Sequence, residues 1–188
     1  MTPETQRGLG TGWVIAIVAI GVVVVVGIAV GAFALLSRGS GDEATGKYGS
    51  APLPSCDYVA SRVKDLPPKS SETEISPRSG WICGFTNSAD AVSVHLDVEV
   101  KTVQQQRSGF ELYTSSGGYV PDATVHLGEN AAWGPSGTGK LCTLAVWDSN
   151  AKFKVDLDDG TLTAADTQAC RDRVKPIAQS FYEAMQPR

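Results

Sequence analysis

Residues 55–188 are predicted to form an α+β domain in which helices flank an antiparallel sheet. Three features of the sequence say so: a segment with strict two-residue alternation, apolar stripes at helical spacing at both ends of the region, and four cysteines spread between them. Ahead of this domain, Trp13 to Leu36 form an apolar run of 24 residues without a charge, which predicts one N-terminal transmembrane helix as its tether.

Residues 1–12 read as a short polar tail on the cytoplasmic side. At about 1.5 Å per residue the run 13–36 spans roughly 36 Å, enough for a hydrocarbon core of about 30 Å. Valine and isoleucine are mediocre helix formers in water, but an isolated segment in lipid must bond its own amides, and a helix does so. A cleavable signal peptide is the rival reading, with Ala32-Phe33-Ala34 as a small-x-small site. The run is long for an h-region of about 7–15 residues. Leu53-Pro54-Ser55-Cys56 faintly resembles a lipobox but follows a polar stretch with Asp42 and Glu43. Within the run, Gly27 and Gly31 have the G-x-x-x-G spacing that lets two helices approach closely, a route to a homodimer.

Flanking charge does not orient the span, because Arg7 and the amino terminus face Arg38 and Lys47. The cysteines do. Cys56, Cys83, Cys142 and Cys170 all follow the run, an even set without the close pairs of a zinc site, which suggests disulfides in an oxidising, extracytoplasmic compartment.

Residues 37–54 are rich in glycine, serine and small polar residues and read as a flexible linker, with ends roughly 23 Å apart as a coil. Ser55 is an N-cap, and Cys56, Val59, Ala60 and Val63 follow at helical spacing until Leu66-Pro67-Pro68 stops the helix. A polar loop is expected up to Gly80, then a short strand from Trp81 to Phe85. Over Ala91 to Val103, Val92, Val94, Leu96, Val98 and Val100 take one face, while Ser93, His95, Asp97, Glu99 and Lys101 take the other. Thr102 to Ser115 is expected as a helix ended by Gly117-Gly118, and Val120 to Trp133 as short strand-like pieces. Leu141 to Asp148 and Lys152 to Asp158 read as a hairpin about Ser149-Asn150. The last element is a helix over 164–185 with Thr163 as N-cap. Its stripe is Cys170, Val174, Ile177, Ala178, Phe181 and Met185, and Pro176 inside it predicts a kink or two shorter helices. In this order Cys56 can reach Cys83, and Cys142 can reach Cys170. Four cysteines still allow three pairings.

Composition excludes some partners. Without Arg7, Arg38 and Glu4, the chain's 16 basic and 20 acidic residues leave 14 and 19 after residue 38, a net charge of −5. Nucleic acid and anionic lipid both reward clustered lysine and arginine, so the balance argues against either as the main partner, and no nucleic acid is expected. Gly134 to Lys140 matches the G-x-x-x-x-G-K of a phosphate loop, but Leu141 stands where Ser or Thr would hold magnesium and opens a strand instead of a helix. Asp156 to Gly160 lacks the glycine and glutamate spacing of an EF-hand and reads as a turn. The two histidines, His95 and His126, have no G-x-S-x-G nucleophile to serve. No catalytic residue, cofactor or metal ligand is therefore assigned. Trp147 falls on the opposite sheet face from Cys142, Leu144 and Val146. With Lys152 and Lys154 it makes a candidate partner contact unless the 102–115 helix covers it.

The Cys56-Asp57 opening, the Trp81-Ile82-Cys83 strand, the segment Gly128-Glu129-Asn130-Ala131-Ala132-Trp133, and late Cys142 and Cys170 before a closing helix form one arrangement. It resembles a group of actinobacterial cell-envelope proteins with a domain of unknown function, many of them lipoproteins. In outline it is also similar to extracellular sensor domains of actinobacterial kinases. The resemblance implies location and fold more than activity, and this chain departs from the lipoprotein pattern in its membrane helix. The expectation is a non-catalytic, membrane-anchored extracytoplasmic module for binding, sensing or accessory work, with an envelope protein as partner. Two alternatives are a hydrolase-like envelope enzyme with an acidic site at His95, Asp97 and Glu99, and a carrier with an apolar cavity between sheet and helices.

Overall fold

A computed structural model describes residues 46–135, 141–163 and 167–187. The expected transmembrane segment 13–36, with Gly27 and Gly31, lies outside these residues. Among the described residues no helix is long and apolar enough to cross a membrane.

The fold is α+β. Seven strands form one antiparallel sheet: β1 (Lys69–Ser76), β2 (Gly80–Asn87), β3 (Val92–Val100), β4 (Val120–Pro121), β5 (Asn130–Trp133), β6 (Leu141–Asp148) and β7 (Ala151–Asp159), in spatial order β1-β2-β3-β7-β6-β5-β4. The helices are α1 (Cys56–Ala60), α2 (Val103–Ser115) and α3 (Thr167–Met185).

The alternation in β3 sets the layering. Leu96 and Val98 are fully buried on one face, and the register puts Val155 and Phe153 of β7 and Cys83 and Trp81 of β2 beside them. α1 and α3 close this face. Cys170, Val174 and Phe181 of α3 are fully buried, and Phe181 packs on Trp81 and Phe153 at ring separations of 5.7 and 5.8 Å. Two disulfides tie these helices to the sheet, Cys56–Cys83 and Cys142–Cys170, with Cα separations of 6.2 and 6.0 Å. Both join a helix to a strand in sequence order, and together they suggest an oxidising environment.

Local chemistry explains several boundaries. Ser55 accepts from the Tyr58 amide at 3.3 Å and caps α1, which is one turn shorter than its apolar spacing suggests. Val63 still donates to the Val59 carbonyl and is buried, so the chain after Ala60 stays packed without continuing as a helix. Thr102 and Gln105 bond each other's backbone in a reciprocal cap at the start of α2. At the β6–β7 turn Ser149 takes a left-handed φ of 57°.

Three expectations are corrected. β1 occupies part of the polar segment read as a loop. It is an edge strand, exposed at seven of its eight residues, so no buried face leaves a period in its sequence. Pro176 does not split the last helix: α3 runs unbroken from Thr167 to Met185, with Pro176 on its exposed side, where a carbonyl freed by the missing N–H can turn to water. The linker expected over 37–54 is docked from Gly46 onward. Tyr48 is 2% exposed, and its backbone exchanges two hydrogen bonds with the Asn150 side chain, at 2.9 Å from its amide and 2.8 Å to its carbonyl.

Candidate functional site

Two regions could carry chemistry: the charged half of the sheet's second face and a groove under the docked strap, residues 46–55.

On the second face the register aligns Glu99 with Lys152, Asp97 with Lys154, and His95 with Asp156. Lys152 is 8% exposed and donates to Glu99 at 3.0 Å, while Lys101 reaches the other oxygen of Glu99 at 2.7 Å. Lys154 lies 2.9 Å from Asp156 and 3.7 Å from Asp97, and Thr143 donates to Asp156 at 2.6 Å. Burial alone would push the Glu99 carboxyl up, but the two lysine hydrogen bonds outweigh it and hold the group below its ordinary range. Asp97 goes the other way, because burial exceeds the pull of Lys152 and Lys154. Lys152 is held above its usual range: burial opposes its charge, and the Glu99 contact more than offsets that. Each of the three carboxylates thus has an ammonium partner, the arrangement of a charge lattice. His95 is exposed on this face, and His126 is exposed in the loop before β5.

Trp147 is not available to a partner. It is 3% exposed beneath α2, with the rings of Phe110, Tyr113 and Tyr119 around it at 5.2, 5.7 and 6.3 Å. Lys152 is buried next to it, under the Tyr113 ring at 5.2 Å, and only Lys154 is partly exposed. Aromatic residues on α2 at the spacing of Phe110 and Tyr113 were the signal that this helix covers the sheet there.

The two loop motifs stand at strand ends. Gly134 and Pro135 follow β5, whose antiparallel neighbour β6 begins at Leu141; Ser136 to Lys140 lie outside the described residues. Asp159 is fully buried at the end of β7, accepts from the Thr161 amide and hydroxyl at 3.0 and 2.6 Å, and is paired with Arg173. Cys56, Glu72 and Cys83 are the one metal-type grouping among the described residues, and its sulfurs are bonded to each other, leaving no thiolate.

The groove is built from the two ends of the domain. Asp148 anchors the strap: its Oδ2 accepts from Lys47 at 2.7 Å, the Tyr48 hydroxyl at 2.6 Å and the Tyr182 hydroxyl at 2.7 Å. Burial would raise this carboxyl, yet the three donors outweigh it and keep it below the ordinary range. Burial and the adjacent carboxylate hold the Tyr48 phenol above its own range. Tyr48 stacks edge-on against Phe153 at 5.2 Å. Further along, the Leu53 amide donates to the Pro77 carbonyl at 2.7 Å, and the Pro54 carbonyl accepts from the Trp81 indole at 2.9 Å. Among the described residues the strap is thus pinned at Lys47 and Tyr48 and again at Leu53 and Pro54. Under it lies an open cavity of about 470 Å³, with Leu53, Pro54, Tyr58, Ala184, Met185 and Pro187 in its mainly apolar lining. A polar hollow continues past Tyr58 to Arg62, Lys64 and Glu183. The groove is lined by the strap, by Tyr58 of α1 and by the C-terminal end of α3. No sequence spacing pointed to it, because its walls come from residues more than a hundred positions apart.

Compared with protein-family models, with curated proteins and with solved structures, the chain finds no match.

Proposed function

We propose that the chain is a membrane-anchored, extracytoplasmic binding module of the cell envelope, non-catalytic, whose ligand occupies the groove beneath the strap. The observation that carries this reading is the groove itself. Its volume falls within the ~300–1,000 Å³ of small-molecule sites, and its apolar floor meets a polar end, as such sites do. The apolar run 13–36 supports the anchor, and the two disulfides support the compartment. Ion pairing of Asp97, Glu99 and Asp156 weighs against the acidic-site enzyme, which needs a carboxyl free to exchange its proton.

Native mass spectrometry of the full chain, released from the membranes of its host, tests the reading. A bound small molecule is expected on the wild-type chain and should be lost from Ala184→Trp, which fills the groove, with both disulfides intact in each. An identical adduct on both chains, no adduct on either, or free thiols in the mature protein would overturn it.

A further inference from the structure

The ligand class follows from the groove's surroundings, and this step rests on the reading just given. We infer that the groove takes the acyl chain of an anionic membrane lipid, with the headgroup at Arg62 and Lys64. Three observations converge on this. The lining is mainly apolar, with Leu53, Pro54 and the Tyr58 ring presenting hydrocarbon, so a flexible chain is held by burial and not by directional bonds. The groove shares Tyr58, Ala184, Gln186 and Pro187 with the hollow that holds Arg62 and Lys64. Arg62 sits over the ring of Tyr58, one of the residues lining both cavities, at 4.5 Å, which places a guanidinium where a phosphate would emerge. The domain as a whole is acidic, which weighs against an anionic ligand elsewhere on it. Among the described lining residues of this hollow, however, Glu183 alone opposes the two cations, and Lys47 at the other end is already committed to Asp148, so the headgroup end keeps a local surplus of one positive charge.

The test uses the full chain reconstituted in vesicles of phosphatidylcholine and phosphatidylglycerol containing a trace of phosphatidylglycerol with a photoactivatable acyl chain. After irradiation, adducts are mapped by peptide mass. Adducts are expected on peptides covering 48–58 and 184–187 as well as on 13–36. Leu53→Asp should lower the groove adducts roughly tenfold while leaving those on 13–36 unchanged, because a carboxylate in the floor disfavours an apolar chain. Ala184→Trp, which fills the groove without adding charge, should do the same, and non-reducing mass mapping should show that both variants keep their disulfides. Arg62→Glu with Lys64→Glu should remove the preference for the anionic probe over a phosphatidylcholine probe. Adducts confined to 13–36 would overturn the lipid assignment and leave the anchor intact; adducts on neither region would overturn the anchor. Groove adducts equal in wild type and both groove variants would also overturn the assignment.

Discussion

Tyr48→Phe isolates what holds the strap. The substitution removes one oxygen and leaves the ring against Phe153, so any loss belongs to that hydroxyl's bonds, chiefly the 2.6 Å donation to Asp148 and with it the 3.0 Å bond accepted from the Gln186 amide. A hydrogen bond to a charged acceptor contributes about 1.5–3 kcal/mol, and the low end applies because Lys47 and Tyr182 still donate to the same oxygen. For a domain near 150 residues, about 1.5 kcal/mol lowers the unfolding midpoint by roughly 5 °C. Tyr48→Ala also empties the aromatic site and should cost about 3–5 kcal/mol. The assay is thermal unfolding of the full chain in detergent at neutral pH, followed by near-ultraviolet circular dichroism, with limited trypsin digestion as a local readout. Cleavage after Lys47 should accelerate in Tyr48→Phe and more so in Tyr48→Ala. Combining Tyr48→Phe with Tyr182→Phe should cost more than the sum of the single changes, since Asp148 then keeps only a half-exposed lysine. A midpoint in Tyr48→Phe within 1 °C of wild type, with unchanged trypsin cleavage, would refute the anchoring role.

Other expectations follow from the same contacts. Replacing Cys142 and Cys170 by serine opens a loop with a sequence separation of 28 and should cost about 3–4 kcal/mol by loop-closure entropy, measurable as a lowered denaturant midpoint. Arg173→Ala leaves one oxygen of the fully buried Asp159 without a partner. It should cost about 2–3 kcal/mol, less than breaking a fully buried pair because Arg173 is half exposed. Asp122 accepts from Thr124 and from the Trp133 indole, and these bonds lower its carboxyl from 3.8 to about 2. Its contribution to stability is complete above pH 3.8 and is lost as pH falls towards 2. Asp122→Asn should therefore flatten the acid limb of the unfolding profile in that window.

How far the sequence could be read depended on whether an element leaves a period. β3 buries one face completely, so Val92 to Val100 announced their own strand and the face of every side chain on it. The β6–β7 hairpin and the stripe of α3 were legible for the same reason. The element order put Cys56 within reach of Cys83 and Cys142 within reach of Cys170, but three pairings stayed open until the structure showed these two. β1 left no such trace, because an edge strand covered on neither side has no reason to alternate. The strap was illegible for a different reason. Glycine, serine and proline suggest a free tether, yet Tyr48 with its bonds to Asp148 and Asn150 is enough to dock it. The groove depends on that docking, so it was hidden along with it. Trp147 had two readings, and the choice between them lay with Phe110 and Tyr113 on a helix whose own buried surface is small.

The order of attachments along the strap also decides how the domain answers a pull. Tension arriving from the residues before Gly46 meets Lys47 and Tyr48 first, whose bonds to Asp148 and Asn150 would break one after another, as a zip opens. It then meets the bonds of Leu53 to Pro77 and of Pro54 to Trp81, and eight residues beyond Tyr48 it meets Cys56, joined covalently to β2. Peeling that stretch would release up to about 28 Å of slack and dismantle one wall of the groove while the sheet stays whole. The strap would act as a fuse, giving way under load before the rest of the domain is strained.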